Sequence, residues 1–164
     1  MYSVYQLSQD EQKRLLELFP PRYAKIYADH VTVQFGGNRV VVPLPPPANK
    51  MEIIGRADDN HGLEALIVRI DDHLKRSDGK VYHITWSLDP NIVPDPDITT
   101  TDNQYRPVHS NMLIGNLIDT SGTLLPTRNT RWSFSRYTTS IPFYAEPKTK
   151  YTALELSHQH GHTI

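Results

Sequence analysis

Two short stretches of the sequence each place an imidazole two residues before a hydroxyl group. His30 precedes Thr32, and His83 precedes Thr85. Both stretches alternate polar with apolar residues, and side chains two residues apart on a strand point to the same face. Each strand is therefore expected to offer one histidine beside one threonine. If the two strands are neighbours in a sheet, both imidazoles and both hydroxyls converge on one groove.

This set of side chains can cleave a phosphodiester without a metal ion. A neutral imidazole can take a proton from the attacking water, and a protonated imidazole can give one to the leaving oxygen. The unperturbed pKa of histidine is about 6.5, so both forms coexist near neutral pH. Threonine hydroxyls can donate hydrogen bonds to the non-bridging phosphate oxygens. We therefore predict that His30 and His83 are catalytic, in either order of acid and base, and that Thr32 and Thr85 hold the phosphate.

Two other interpretations of the same residues stay open. A His-x-Thr triplet is a weak pattern by itself, and two partly buried histidines bonded to backbone groups would give the same sequence. The chain could then be a structural or accessory protein. It could also be a binding module that holds a nucleotide or an RNA end without turnover.

The surrounding sequence predicts the elements that position these residues. Ser8 and Glu11 have the spacing of a capping box, which predicts a helix from Ser8 to Leu18 that ends before Pro20. Strands are expected over His30 to Phe35, Arg39 to Leu44, Met51 to Ala57, Leu63 to Ile70 and Val81 to Leu88, with weaker alternation from Arg128 to Tyr144. Residues 90–103 are rich in Pro, Asp and Thr and are expected to form a loop.

These elements predict an α+β fold with an antiparallel or mixed β-sheet and few helices. The length of 164 residues suits one domain with a single core. We expect that domain to span residues 1–156 and to be followed by a disordered tail over residues 157–164.

Composition excludes several classes of chemistry. The chain has no cysteine, which rules out disulfides, thiol catalysis and cysteine-ligated zinc. The formal net charge of -1 argues against a protein that coats duplex DNA. The sequence shows no apolar run of about 18 residues and no signal peptide, so we expect a cytoplasmic protein without a membrane span.

The two His-x-Thr strands resemble the signature of the 2H (two-histidine) phosphoesterase superfamily. That superfamily includes 2′,3′-cyclic phosphodiesterases and viral enzymes that cut cyclic oligonucleotide signals. Longer stretches resemble small phage and bacterial proteins described as RNA-repair-like or RNA-ligase-associated. These stretches are Tyr23 to Thr32, Ala57 to Asp59, Gly62 to Leu66, Tyr82 to Leu88 and Pro107 to Asn111. The separation of the two motifs is shorter than the superfamily pattern, which favours the binding interpretation.

What the resemblance implies is a 2H-like fold and metal-independent hydrolysis of a cyclic phosphate or a small cyclic oligonucleotide. The expected partner is a small nucleotide or an RNA end, and no cofactor is expected. His158, His160 and His162 have a metal-like spacing, but no acidic residue follows them and they lie in the expected tail. We therefore predict no metal site.

Four further residues are candidates for substrate binding. Arg106 can clamp a phosphate, and His109 and Ser110 follow the second motif and can line the same groove. Trp132 lies in a stretch, Arg131 to Tyr137, in which basic and aromatic residues alternate. Such a set can stack a base and bind its phosphate, although a polar loop and a half-buried strand would have the same composition.

Overall fold

The structure of the protein is a computed structural model that describes residues 1–36, 41–91, 133–151 and 155. They form one eight-stranded sheet and one α-helix. In chain order the elements are β1 (Tyr2–Gln6), α1 (Gln9–Leu18), β2 (Lys25–Ile26), β3 (His30–Phe35), β4 (Met51–Asp58), β5 (Leu63–Ile70), β6 (His83–Leu88), β7 (Ser133–Phe143) and β8 (Glu146–Lys150). The strands lie in the order β7-β4-β5-β6-β3-β1-β8, and β2 also pairs with β6. All pairs of described strands are antiparallel, which confirms the predicted sheet with few helices.

The helix begins and ends where the sequence predicts. Ser8 has extended backbone, and its Oγ accepts a hydrogen bond from the backbone N–H of Glu11 at 3.1 Å. That bond satisfies one of the N–H groups that the first turn leaves without an intrahelical partner. Leu15 is fully buried and holds α1 against the sheet. In the described part of the chain, no helix is long and apolar enough to cross a membrane.

The strands predicted from alternation are confirmed for β3, β4, β5 and β6, with small differences at their ends. The returning strand predicted up to Leu44 is wrong, because residues 41–44 lie outside any strand. The reason is that β3 is already paired on both sides, with β1 on one edge and β6 on the other. A hairpin partner for β3 therefore has no edge on which to pair.

Apolar side chains form two clusters, one on each face of the sheet. The larger cluster lies under α1 and includes Leu15, Phe19, Val31, Ile53, Leu66, Ile84 and Trp86. The smaller cluster comes mainly from β4, β5 and the loop before β6, and includes Ile54, Ala57, Ala65, Ile67, Leu74 and Val81. Burial on both faces explains why β4 and β5 consist almost entirely of buried residues.

A charged cluster built on two buried carboxylates anchors the segment that enters β2. The Arg22 guanidinium donates to Asp58 at 2.8 Å, and the Tyr23 hydroxyl donates to the other oxygen of that carboxylate at 2.6 Å. Burial and this bond raise the pKa of Tyr23 to about 12. Glu64, which is fully buried, accepts from the backbone N–H of Arg22 and from the hydroxyl of Ser87 in β6. The carboxylates of Asp58 and Glu64 thus bind side chains and backbone of this chain and have a structural role.

Candidate functional site

The two motif strands are neighbours in the sheet, as the sequence requires for a shared site. Val31 of β3 pairs directly with Ile84 of β6, and both side chains are fully buried in the cluster under α1. Because side chains alternate along a strand, the residues on either side of this pair point to the opposite face. The side chains that share that face are His30, Thr32, His83 and Thr85.

The register also sets which of these side chains face each other. Continued by one residue, this antiparallel register is expected to set Thr32 opposite His83, whereas Thr85 is bonded through its carbonyl to the N–H of Ala28 at 3.0 Å, two residues before His30. The two imidazoles are close enough for the charge of His30 to lower the pKa of His83. The two imidazoles are diagonal neighbours, and such positions on an antiparallel pair are about 7 to 8 Å apart. A phosphate group can lie between two side chains at that separation.

The ring of His83 is held by a backbone carbonyl. Its Nδ1 lies 2.9 Å from the carbonyl oxygen of Val81, and a carbonyl only accepts, so Nδ1 carries the proton. The Nε2 of the neutral ring is then left as an acceptor. Burial lowers the pKa of His83 to about 4; the bond to Val81 opposes this change, and the charges of Arg76 and His30 add to it.

The ring of His30 is held by a carboxylate instead. Its Nδ1 lies 2.9 Å from Oδ2 of Asp29 and donates to that carboxylate. In the neutral ring Nε2 is again left as an acceptor. The side chain of His30 is 21% exposed to solvent, whereas the residue His83 as a whole is only 6% exposed. Burial lowers the pKa of His30, the hydrogen bond to Asp29 opposes that change, and the charge of Lys150 adds to it.

The two threonines are available for a ligand. Thr32 and Thr85 are half-buried. Within the described ranges, neither hydroxyl makes a hydrogen bond to another side chain or to the backbone. A hydroxyl in this position can donate to a phosphate oxygen without first breaking a hydrogen bond to another of the described residues.

Two cations that the sequence analysis missed lie beside the histidines. Arg76 is 5% exposed, donates to Asp78 at 3.0 Å, and is close enough for its charge to lower the pKa of His83. Lys150 of β8 donates to Asp29 at 2.7 Å, and its charge acts on His30. No local pattern indicates Lys150, since it is 121 positions from Asp29.

An aromatic pair continues the site along β1 and β3. The ring of Tyr2 lies 5.9 Å from the His30 ring and 6.2 Å from the Phe35 ring, centroid to centroid. Phe35 is 40% exposed. Tyr2 and Phe35 are cross-strand partners, which gives the pair a fixed position next to the histidines.

The other predicted substrate-binding residues, Arg106, His109, Ser110 and Trp132, lie outside the described residues, as do the C-terminal histidines and the expected tail over 157–164. The structure therefore brings together the four motif residues and adds Asp29, Arg76, Lys150 and Tyr2. Among the described residues, no group of three or more His, Asp or Glu side chains could hold a metal ion.

Comparison with known proteins gives no match: no family model fits the chain, and neither a curated protein nor a solved structure is similar to it.

Proposed function

We propose that this chain is a metal-independent phosphodiesterase that hydrolyses a cyclic phosphate. The substrate is a small cyclic nucleotide or oligonucleotide, or an RNA end that carries a 2′,3′-cyclic phosphate. The observation that carries the proposal is the pairing of Val31 with Ile84, because it sets two histidine–threonine pairs on one sheet face. The resemblance to the 2H phosphoesterases supports the same chemistry.

The reaction replaces one phosphorus–oxygen ester bond with a bond to the oxygen of water. The Nε2 of one neutral imidazole accepts a proton from the water as the new bond forms. The Nε2–H of the other imidazole, in its protonated form, gives its proton to the ester oxygen as the old bond breaks. Solvent then carries the proton from the first ring back to the second, which restores the starting state.

The fixed Nδ1 positions serve this chemistry. Because His30 and His83 are each bonded at Nδ1, their Nε2 atoms are the ones that exchange protons with a ligand. The hydroxyls of Thr32 and Thr85 donate to the non-bridging oxygens, where negative charge is held during the reaction. A bound phosphate places negative charge beside both rings, which favours the imidazolium form and offsets the effect of burial.

The aromatic pair of Tyr2 and Phe35 supports a nucleotide rather than a cyclic phosphate without a base. Bases stack on aromatic side chains exposed on a sheet, and each such contact contributes about 1 to 3 kcal/mol to binding. A phosphate between the two imidazoles leaves the attached nucleoside within reach of Tyr2, whose ring lies 5.9 Å from that of His30.

A second candidate function is binding without turnover, and the lowered pKa values favour it. In the free protein both rings have a pKa below the ordinary value of 6.5, so both are neutral at pH 7. Hydrolysis needs one imidazolium, whereas a binding module can use neutral rings and hydroxyls as hydrogen-bonding groups.

The test is to incubate the chain with a panel of cyclic mono-, di- and trinucleotides and of RNA ends with 2′,3′-cyclic phosphates. Products are followed by chromatography and by ³¹P spectra. We expect at least one substrate to be opened by the wild type and left intact by the double variant His30→Asn/His83→Asn. Binding of a panel member without hydrolysis would favour the second candidate, and neither binding nor hydrolysis would contradict both.

A further inference from the structure

The two histidines differ in the group that holds Nδ1. In both cases the distance is 2.9 Å, but the acceptor is a neutral carbonyl for His83 and a carboxylate for His30. A carboxylate stabilises an imidazolium far more than a carbonyl does, because it adds an opposite full charge at hydrogen-bond distance. The proton needed for general-acid catalysis is therefore better held on His30.

The carboxylate of Asp29 is itself fixed by three other elements. Oδ2 accepts from Lys150 Nζ of β8 at 2.7 Å, and Oδ1 accepts from Gln6 Nε2 of β1 at 2.9 Å and lies 3.4 Å from Gln12 Nε2 of α1. Burial raises the pKa of Asp29, but the hydrogen bonds from His30, Lys150 and Gln6 outweigh it and hold that pKa well below its usual range. Asp29 is thus an anion throughout the pH range in which histidines titrate.

The backbone before Asp29 is arranged to bring this side chain to the ring. Adjacent residues within a strand point to opposite faces, so a carboxylate inside β3 would not reach the imidazole of the next residue. Ala28 has a φ of 45°, a left-handed conformation that is unfavourable for a residue with a side chain. This turn separates β2 from β3, and the Ala28 N–H is bonded to the carbonyl of Thr85 at 3.0 Å. Strain held in this way is typical of functional sites.

We propose that Asp29 is a positioning residue that makes His30 the general acid and leaves His83 as the general base. This inference rests on the proposed phosphodiesterase function. Asp29 touches neither water nor phosphate in the reaction: it orients the His30 ring through Nδ1 and stabilises the imidazolium that gives its proton from Nε2. His83, with only a carbonyl at Nδ1, stays neutral and takes the proton of the attacking water.

The charged and titratable groups around His30 come from three strands besides its own. Tyr2 faces it from β1, Lys150 from β8 and His83 from β6. Asp29 favours the protonated ring of His30 and Lys150 disfavours it, while the charge of His30 in turn lowers the pKa of His83. Removing Asp29 and removing Lys150 are therefore expected to change the pKa of His30 in opposite directions, which a loss of packing alone would not do.

The first experiment needs no substrate. The ring resonances of both histidines are followed by NMR against pH in the full chain and in the variants Asp29→Asn and Lys150→Met. We expect the pKa of His30 to fall in Asp29→Asn and to rise in Lys150→Met, with much smaller changes at His83. An unchanged His30 pKa in Asp29→Asn, or equal changes at both rings, would overturn the role of Asp29. If Asp29→Asn does not fold, Asp29→Ser, which also lacks the carboxylate, is titrated in its place, and an unchanged His30 pKa there overturns the role of Asp29.

The second experiment uses the substrate that the wild type hydrolyses best. The alkaline limb of kcat against pH reports the general acid, so it should move to lower pH in Asp29→Asn while the acidic limb, set by His83, stays in place. Movement of the acidic limb alone would reverse the assignment of acid and base. Absence of turnover in the wild type would remove the proposed function, and the acid role with it. The NMR titrations would still show whether Asp29 controls the protonation of His30.

Discussion

Val31 lies directly opposite Ile84 across β3 and β6, and this apolar pair determines where both histidines point. A slip of one residue between the two strands would bury one histidine–threonine pair under α1 and leave the other on the far face. The full burial of Val31 and Ile84 disfavours such a slip, because it would move apolar side chains out of the core. The apolar face of the sheet thereby maintains the geometry of the polar one.

Replacing either histidine should stop turnover without unfolding the chain. We expect His30→Asn and His83→Asn each to lower kcat by about 10²–10⁴-fold, the usual contribution of a general acid or base. The double variant should be little slower than either single variant, since the pair acts as a unit. Asparagine is preferable to alanine because His83 is buried and its truncation would open a cavity. Kinetics and melting temperatures measured on the same samples check this, and losses that multiply in the double variant would contradict a cooperating pair.

Replacing either threonine should have a milder effect. Thr32→Val and Thr85→Val each remove one hydrogen bond to the phosphate while keeping the β-branched shape that suits a strand. We expect kcat/KM to fall by about 10-fold in each, which corresponds to about 1 to 1.5 kcal/mol for one hydrogen bond. Thr149→Val, on β8 outside the motifs, is the matched control and should leave kcat/KM unchanged. Equal losses in all three variants would argue against a role for the motif hydroxyls.

Turnover should survive removal of divalent ions. In the proposed mechanism both proton transfers belong to imidazoles, so neither step requires an activated metal-bound water. The measurement is the initial rate before and after dialysis against EDTA, followed by addition of Mg²⁺, Mn²⁺ or Zn²⁺. A rate that falls in EDTA and returns with one of these ions would show that a metal takes part.

Stability should decrease between pH 7 and pH 5 because of His83. Its pKa is lowered from 6.5 in the unfolded chain to about 4 in the folded one, so the unfolded chain binds protons more readily in this window. The stabilising contribution of the neutral ring is complete well above pH 6.5 and is lost progressively as pH falls from 6.5 to the folded pKa of about 4. Linkage gives a loss of about 2 kcal/mol between pH 7 and pH 5. Denaturant unfolding of the wild type and of His83→Asn at both pH values tests this, and the variant should show the smaller pH dependence.

The carboxylates contribute in a different pH range. The lowered pKa values of Asp29 and Glu52 stabilise the fold above their unfolded values of 3.8 and 4.5, and that contribution is lost only at lower pH. A wild-type stability that stays level from pH 7 to pH 5 and falls only below pH 4 would therefore assign acid sensitivity to carboxylates and not to His83.

Gly55 should tolerate no side chain. An added Cβ would lie 2.7 Å from the backbone oxygen of Ser135 and 2.7 Å from Cε2 of Phe134. Both residues belong to β7, which pairs with β4 and shifts register next to Gly55. Because a backbone oxygen cannot move aside alone, we expect Gly55→Ala to reduce the free energy of unfolding by about 1 to 3 kcal/mol. Gly79→Asn is the control: Gly79 has open space around it, so asparagine there meets only the backbone strain of a φ of 83°, which it tolerates better than most residues with a side chain. Equal destabilisation by the two variants would contradict the close approach of β7.

Local patterns predicted the parts of the fold that local interactions decide. Ser8 and Glu11 give the start of α1, and the alternation around Val31 and Ile84 gives β3 and β6. The strands β1 and β8 were not predicted. In β8, Pro147 and the charged residues do not favour a strand. This strand extends only because β1 offers an edge, and a proline is tolerated at the outer edge of a sheet.

For the site, the sequence predicted the residues on one strand face but not what surrounds them. Asp29 is next to His30 in the chain, yet strand alternation alone would place its side chain on the other face. The turn at Ala28 removes that constraint, and it has no signature in the residue type, because alanine rarely adopts a positive φ. Arg76 and Lys150 come close through the pairing of distant segments, which is decided by the whole sheet.

The strand order also bears on how the chain folds. β4 and β5 are joined by a turn of a few residues, and β6 adds to β5, so the centre of the sheet can form from contacts close in sequence. β3 reaches β6 only by closing the long loop that contains that hairpin, and closure of a long loop costs more entropy before its contacts form. We therefore expect the two imidazoles to meet late, after the central strands have paired. A folding intermediate that contains the β4–β5–β6 meander would have His83 in place and no partner for it.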